Sequence, residues 1–267
     1  MFRENFESEE SLFFDYMTHG EKLPFKYRQG EYSSFASNKK VLKLTLHKED
    51  KVGPRQGPQI ISKNITHFGT YSASLKIPKV DDLQPNVGAL VGLFTYNETP
   101  NGLSEIDFEW HLTDPTLLYI GTYTGKGKKL KRVERIIKLD TGELLNTEIT
   151  VNEKPVIKEL KVSQTTPNNI LPVDNYDASS DFYTYGFDWM PERIVWWVIH
   201  PVSNEKIILW DYTEVSEGIP QDESRFRANI WHSDKFISIS NPKASEKPEH
   251  NFSLEVDWME FVPFEIE

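Results

Sequence analysis

Cysteine is absent from the 267 residues, which excludes a disulfide, a thiolate nucleophile and any cysteine-held metal or iron–sulfur site. No run of 18 apolar residues occurs, so no segment reads as a membrane-spanning helix and no membrane insertion is expected. Positive charge is in deficit: 30 Lys and Arg stand against 41 Asp and Glu, a formal net charge of -11. Such a chain is repelled overall by a nucleic-acid backbone or an anionic membrane surface, so no nucleic-acid partner is expected. The first ten residues, MFRENFESEE, lack the basic and apolar regions of a secretory leader. A leader removed earlier remains compatible with this start, because Met1 says only where this sequence begins. The seven histidines form no H-E-x-x-H and no close pair on one element, which argues against a catalytic zinc. Gly125-Lys126-Gly127-Lys128-Lys129 is basic and glycine-rich but lacks the spacing of a phosphate-binding loop, and reads as a hairpin turn.

What is present suits a packed core: 38% of residues are hydrophobic and 27% charged, outside the composition of disordered chains. The hydrophobic pattern alternates far more often than it follows a helical stripe. Strands are expected over 41–46, 71–77, 88–96, 104–112, 119–124, 132–139, 182–189, 194–199, 206–210, 225–231 and 254–262, with turn-type residues between them. Many strands at short spacing predict an all-β sandwich or jelly roll. No repeat or linker divides the chain, so residues 1–267 are expected to form a single domain. Residues 141–180, with Pro155, Pro167, Pro172 and Asn168-Asn169, read as an insertion between core strands that holds a strand-like stretch at 157–162. Residues 242–251 read as a second, exposed loop.

The chemistry-bearing segment is Ser104-Glu105-Ile106-Asp107-Phe108-Glu109-Trp110. On a strand, the three carboxylates share one face and Ile106, Phe108 and Trp110 share the other. A solvated polar face is one meaning of such a pattern. Against it, like charges side by side on a strand destabilise it, and a merely solvated face would mix in Lys, Thr and Ser. The Cα atoms of Glu105 and Glu109 should lie about 13 Å apart at about 3.3 Å per residue. Side chains that each reach about 4 Å could bring the carboxylates to roughly 5 Å on a concave strand. That is about the separation retaining glycoside hydrolysis requires, and a third acid between the two would drive their proton affinities apart.

Glu105-Ile106-Asp107-Phe108-Glu109 resembles the E-x-D-x-E signature of glycoside hydrolase family 16. Flanking blocks resemble that family in the same order: residues 67–76, residues 181–189, Ala228-Asn229-Ile230-Trp231 and Glu255-Val256-Asp257-Trp258, so the likeness spans roughly 30–264. The single residue between Asp107 and Glu109 is similar to the regular-strand branch, within which the lichenases resemble this chain most. The resemblance implies a concanavalin A-like jelly roll with a concave substrate cleft. It implies Glu105 as nucleophile, Glu109 as general acid and base, and Asp107 as their hydrogen-bonded assistant. Phe94, Tyr96, Tyr123, Asn229 and Trp231 match cleft-lining positions, although aromatics at alternate strand positions also serve as ordinary packing. Asp257 matches the side-chain ligand of a structural calcium ion on the convex side, while catalysis itself needs no cofactor.

The pattern also departs from that of lichenases. Leu103 stands where they commonly carry Trp, Gly121 where they carry Asn, and Gln59 and Ile61 where they carry Glu and Arg. The reaction class is therefore better supported than the substrate. The resemblance implies an endo-acting retaining hydrolase of a β-glucan, mixed-linkage β-1,3-1,4 or related, that acts as a monomer on a polysaccharide or oligosaccharide in an extracellular or periplasmic setting. A transglycosylase of the same fold and a non-catalytic carbohydrate-binding jelly roll are the alternatives.

Overall fold

A computed structural model describes residues 1–7, 11–18, 21–22, 28–31, 40–53, 56–80, 82, 84–152, 154–155, 164–213 and 218–265. In chain order the strands are β1 (Phe2–Glu4), β2 (Phe14–Thr18), β3 (Glu21–Lys22), β4 (Arg28–Glu31), β5 (Lys40–Leu46), β6 (Gln59–Ser62), β7 (Gly69–Lys76), β8 (Ala89–Thr99) and β9 (Gly102–His111). They continue with β10 (Leu117–Gly125), β11 (Lys131–Lys138), β12 (Glu143–Val151), β13 (Lys154–Pro155), β14 (Tyr183–Met190), β15 (Arg193–Ile199), β16 (Lys206–Tyr212), β17 (Arg225–His232) and β18 (Phe252–Pro263). One sheet runs β16-β15-β14-β7-β18-β5-β4 with β1 beside β18, and the other runs β13-β12-β11-β10-β9-β8-β17-β6-β2-β3. Among the described strands every pairing is antiparallel. This is the expected β-sandwich jelly roll.

Period-two alternation explains the layering, because successive side chains leave a strand on opposite faces. Ile106, Phe108 and Trp110 of β9, and Phe226, Ala228 and Ile230 of β17, are buried in the core between the sheets. The facing sheet contributes Tyr71, Ala73 and Leu75 from β7 and Tyr185, Phe187 and Trp189 from β14. Aromatic contacts lock the layers: Trp110 meets Tyr185 edge-on with ring centroids 4.8 Å apart, and Tyr71 meets Phe226 at 5.2 Å. Polar tips are satisfied inside this core, as buried aromatic N–H and O–H groups require. Trp196 Nε1 on β15 donates to the backbone carbonyl of Asp107 at 3.1 Å, so the second sheet grips the strand that carries the carboxylates.

Each strand expected from alternation is present, with ends shifted by a few residues. The stretch 141–180 differs from the surface excursion expected of it: β12 pairs with β11 along most of its length and extends the cleft sheet. Its Thr, Asn and Glu residues obscure the strand signal, and cross-strand pairing rather than propensity decides the structure there. The strand-like stretch 157–162 lies outside the described residues. The basic, glycine-rich segment after β10 does form the turn of the β10–β11 hairpin, through a short 3-10 turn at Gly127–Lys129. Among the described residues no helix is long and apolar enough to cross a membrane.

Arg135 on β11 points into the core and is 0% exposed. Its Nη1 donates to the carbonyls of Pro167 (2.8 Å) and Leu209 (3.2 Å), and its guanidinium lies 4.8 Å from the Trp210 ring centroid. Burial pushes its pKa down to about 10. It ties the residues before β14 and the β16 edge to the cleft sheet, yet Nε and Nη2 find no partner among the described residues. Arg135→Ala should destabilise the fold by roughly 3 kcal/mol in urea denaturation, because it leaves a hole and two stranded carbonyls. Arg135→Met should lose clearly less, since it strands the same two carbonyls but keeps most of the volume and buries no charge. Equal losses in the two variants would show that the charge, not the volume, holds this corner.

Candidate active site

The cleft lies on the outer face of the ten-stranded sheet, where the odd-numbered residues of β9 emerge. Register builds it in rows. One row runs Arg225, Tyr96, Glu105, Tyr123, Arg132; the next Ile61, Arg227, Phe94, Asp107, Gly121, Glu134; the third Gln59, Asn229, Gly92, Glu109, Tyr119, Ile136. A cavity of about 440 Å³ opens over these rows, lined by Glu105, Asp107, Glu109, Phe94, Tyr96, Tyr123, Asn229 and Trp231 together with Gln59, Gly92, Leu103, Leu130, Arg227 and Phe236. Every cleft residue expected from the sequence is thus brought to one cavity. Asp257 is not among them. It is buried on β18 in the opposite sheet, at a bulge between Val256 and Trp258.

Two glycines shape the floor. A Cβ on Gly92 would come within 2.8 Å of Asn229 Oδ1 and 3.2 Å of the Phe94 ring, so the bare position gives Asn229 room beside Glu109. A Cβ on Gly121 would strike the Val133 carbonyl oxygen at 2.1 Å, a steric reason for the missing side chain at that position. Across Gly121, Asp107 faces Glu134, a fourth buried acid. Arg132 contacts Glu134 at 3.3 Å and reaches Glu148 at 3.7 Å.

Electrostatics separate the two glutamates. Burial, then the Glu109 charge, raises the pKa of Glu105 from the ordinary 4.5 to about 8, while the Arg227 cation opposes the rise. Burial, then the Glu134 charge, raises Glu109 from 4.5 to about 7, against the pull of Arg132. Burial and the charges of Glu105, Glu109 and Glu134 push Asp107 well above the usual carboxylate range. Asp107 Oδ2 is buried without a hydrogen-bond partner among the described residues. The carboxyls therefore titrate as one set and retain protons near neutral pH. Burial and the Glu109 charge likewise keep the Tyr123 hydroxyl protonated. His111, two residues beyond Glu109, stacks on Phe236 with centroids 5.2 Å apart, and burial pushes its pKa down to about 4, so it is neutral. Tyr119 Oη accepts from the Ile239 N–H at 3.0 Å and anchors the loop that carries Phe236.

This arrangement has the parts of an acid–base pair with an internal proton store: two buried carboxyls, each with a cation and an anion near it, and a third between them. The family described as Glycosyl hydrolases family 16 matches residues 22–143. A "Beta-glucanase" of Paenibacillus macerans is 24% identical over 204 residues, 75% of this chain and 62% of its own length. The fold is shared with a prokaryotic β-1,3-1,4-glucanase (lichenase) from a mouse hindgut metagenome (TM-score 0.56, 18% identity, 98% of this chain and 99% of that one). It is shared also with the Crh5 transglycosylase in its apo form (TM-score 0.52, 15% identity, 98% of this chain and 83% of that one). Over residues 22–143, and in its fold, the chain is similar to glycoside hydrolase family 16. It spans less than two thirds of the length of the curated relative it matches.

Several residues of this cleft went unread in the sequence. Arg227 shares its face with Asn229 and Trp231, so parity along β17 was a usable signal. Arg132 and Glu134 alternate in the same way on β11. Phe236 sits in a loop, where no period marks it.

The raised carboxyls have a thermodynamic consequence. Between the ordinary 4.5 and the folded values of about 7 and about 8, the folded state binds protons more tightly than the unfolded chain. The stability they contribute is fully present below about 4.5 and is lost as pH rises through 7 to 8. Glu109→Gln, which keeps the shape and removes the charge, should therefore raise the melting temperature at pH 9 and leave it nearly unchanged at pH 4. A variant less stable than the parent at pH 9 would contradict the buried-carboxyl account.

Proposed function

We propose that the cleft is the active site of an endo-acting glycoside hydrolase that cleaves a β-glucan with retention of anomeric configuration. The observation that carries this reading is geometric: Glu105, Asp107 and Glu109 emerge from one face of β9 into a single cavity walled by aromatic rings, while burial raises both glutamates, to about 8 and about 7, so their order of ionisation does not assign the two roles. A nucleophile must be ionised and a general acid must hold its proton. The names of the relatives, β-glucanase and lichenase, support the substrate class.

In the first step a Glu105 carboxylate oxygen attacks the anomeric carbon, the glycosidic C–O bond breaks, and Glu109 gives its proton to the departing oxygen. Glu109, now a carboxylate, then takes a proton from water as that water displaces Glu105 from the glycosyl-enzyme. Asp107, protonated between them, steadies the charge as it passes from one glutamate to the other. Phe94, Tyr96, Tyr123 and Trp231 offer apolar faces to sugar rings, and Asn229 offers an amide to their hydroxyls. A transglycosylase would run the same first step and pass the glycosyl group to a sugar hydroxyl, as the likeness to a transglycosylase fold allows. A purely binding jelly roll gains nothing from buried acids whose burial disfavours their charge.

Release of reducing ends from barley β-glucan, laminarin, xyloglucan, agarose and carrageenan, with product sizing, separates hydrolysis from transfer and identifies the linkage. On the best of these, Glu105→Gln should lower kcat by orders of magnitude, because an amide is a poor nucleophile. Glu109→Ala should keep relatively more activity on aryl glycosides with good leaving groups, and added azide should restore turnover. Near-parental turnover of Glu105→Gln would end this assignment, and azide rescue of Glu105→Ala alone would reverse the two roles.

The calcium expectation at Asp257 is a separate proposal. Among the described residues no group of three or more His, Asp or Glu could hold a metal. A calcium ion at the β18 bulge would thus fit only with Asp257 joined by backbone carbonyls and water, ligands this cation accepts. The melting temperature should rise with calcium in metal-stripped protein and fall with EDTA. Identical curves in both conditions would remove the ion and leave the carboxylate mechanism standing.

A further inference from the structure

Three arginines stand on the cleft face of the sheet, and their surroundings differ. Arg225, at the end of the Glu105 row, donates through Nη1 to the backbone carbonyls of Ser62 (2.5 Å) and Lys63, so its charge is drawn to the rim near β6. Arg132, two strands from Glu105 on the other side, is engaged with Glu134 and Glu148. Arg227 is the one cation among the described residues that line the cavity. Its guanidinium lies 4.8 Å from the Tyr96 ring centroid, and Tyr96 is the direct ladder partner of Glu105. Its own ladder partner on β8 is Phe94, which in turn pairs with Asp107. The side chain is therefore held against an aromatic wall, diagonal to Glu105, in a half-buried position.

We propose that Arg227 is a positioning residue for Glu105: packed over Tyr96 in the cavity wall, its guanidinium stabilises the charge that the Glu105 carboxyl carries when it attacks the sugar. This rests on the reading of Glu105 as nucleophile. An arginine suits the task because it stays charged at every working pH and its planar group stacks on an aromatic ring. Once a sugar fills the cleft and expels water, the attraction between the two groups strengthens.

Every other charged or titratable group facing Glu105 either opposes this or lies in another contact. Asp107 and Glu109 on β9 disfavour its ionisation. Tyr96 and Glu98 on β8 face each other at 3.4 Å, and neither carries positive charge. Tyr123 on β10 is held neutral, Glu134 on β11 and Glu148 on β12 are anions served by Arg132, and Asp15 on β2 sits at the far end of the Arg227 row beyond Ile61. The Arg227 cation is accordingly the influence that lowers the Glu105 pKa.

The test compares pH profiles of kcat/KM for the parent, Arg227→Met, Arg227→Lys and Arg227→Gln on the best substrate of the panel. The acid limb reports the group that must be ionised. Removing a cation raises that group's pKa, so in Arg227→Met the acid limb should move to higher pH by about one unit. Arg227→Lys keeps the charge and should hold the limb near its parental place, with the loss appearing in KM. Melting temperatures identify any variant that fails to fold, and Arg227→Gln then substitutes for Arg227→Met. An unmoved acid limb in the uncharged variants, or an equal shift in Arg227→Lys, overturns the proposal. Glu105→Gln is run beside them: if it stays active, the nucleophile assignment fails first, whereas an inactive Glu105→Gln with an unmoved Arg227→Met limb refutes only the part given to Arg227.

Discussion

Burial of Ile106, Phe108 and Trp110 between the two sheets is the constraint on which the site depends. Each side chain contributes about 1.5–3 kcal/mol by leaving water, and together they fix the face that β9 turns inward. A slip of one residue would expose all three and sink the carboxylates into the core, so register is held by several burial terms at once. Trp196 adds a directional hold through its hydrogen bond to the Asp107 carbonyl. The strand that must present three like charges is therefore among the most firmly anchored in the molecule. The mutual repulsion of those charges is offset by packing on the other face.

Anchoring alone does not make two equal acids unequal. The flanking strands set their surroundings: β17 places a guanidinium on the Glu105 side, and β11 places both the Glu134 carboxyl and the Arg132 guanidinium on the Glu109 side. Gly121 matters here because no side chain intervenes between Asp107 and Glu134. Burial raises all the proton affinities, and the neighbours then decide how the remaining protons are shared. The same burial lowers stability at alkaline pH, an exchange of stability for reactivity that active sites commonly show.

The likeness to glycoside hydrolase family 16 rests on the match over 22–143 and on the shared fold. Fold likeness at 18% and 15% identity says nothing of which sugar is bound. The altered positions Gln59, Ile61 and Leu103 lie in or beside the cleft wall, which is where substrate preference would be set. The neighbouring Arg227 brings a charge to the same wall from the next strand.

The sequence by itself determined the fold class, the position of the core strands and the face of β9 that carries the acids. These follow from a local rule, the alternation of side chains along a strand, which needs no knowledge of partners. Only the tertiary structure decided that β12 joins the cleft sheet, that Arg227 stands diagonal to Glu105 across Tyr96, and that Glu134 faces Asp107 over a bare glycine. Those relations join residues as far as 122 positions apart, as between Arg227 and Glu105. Strand order and register set them, and both arise from how whole strands bury their apolar faces together. Arg135 shows the same limit: alternation places it on the inward face of β11, but only the packed sandwich reveals the two carbonyls that hold its charge there.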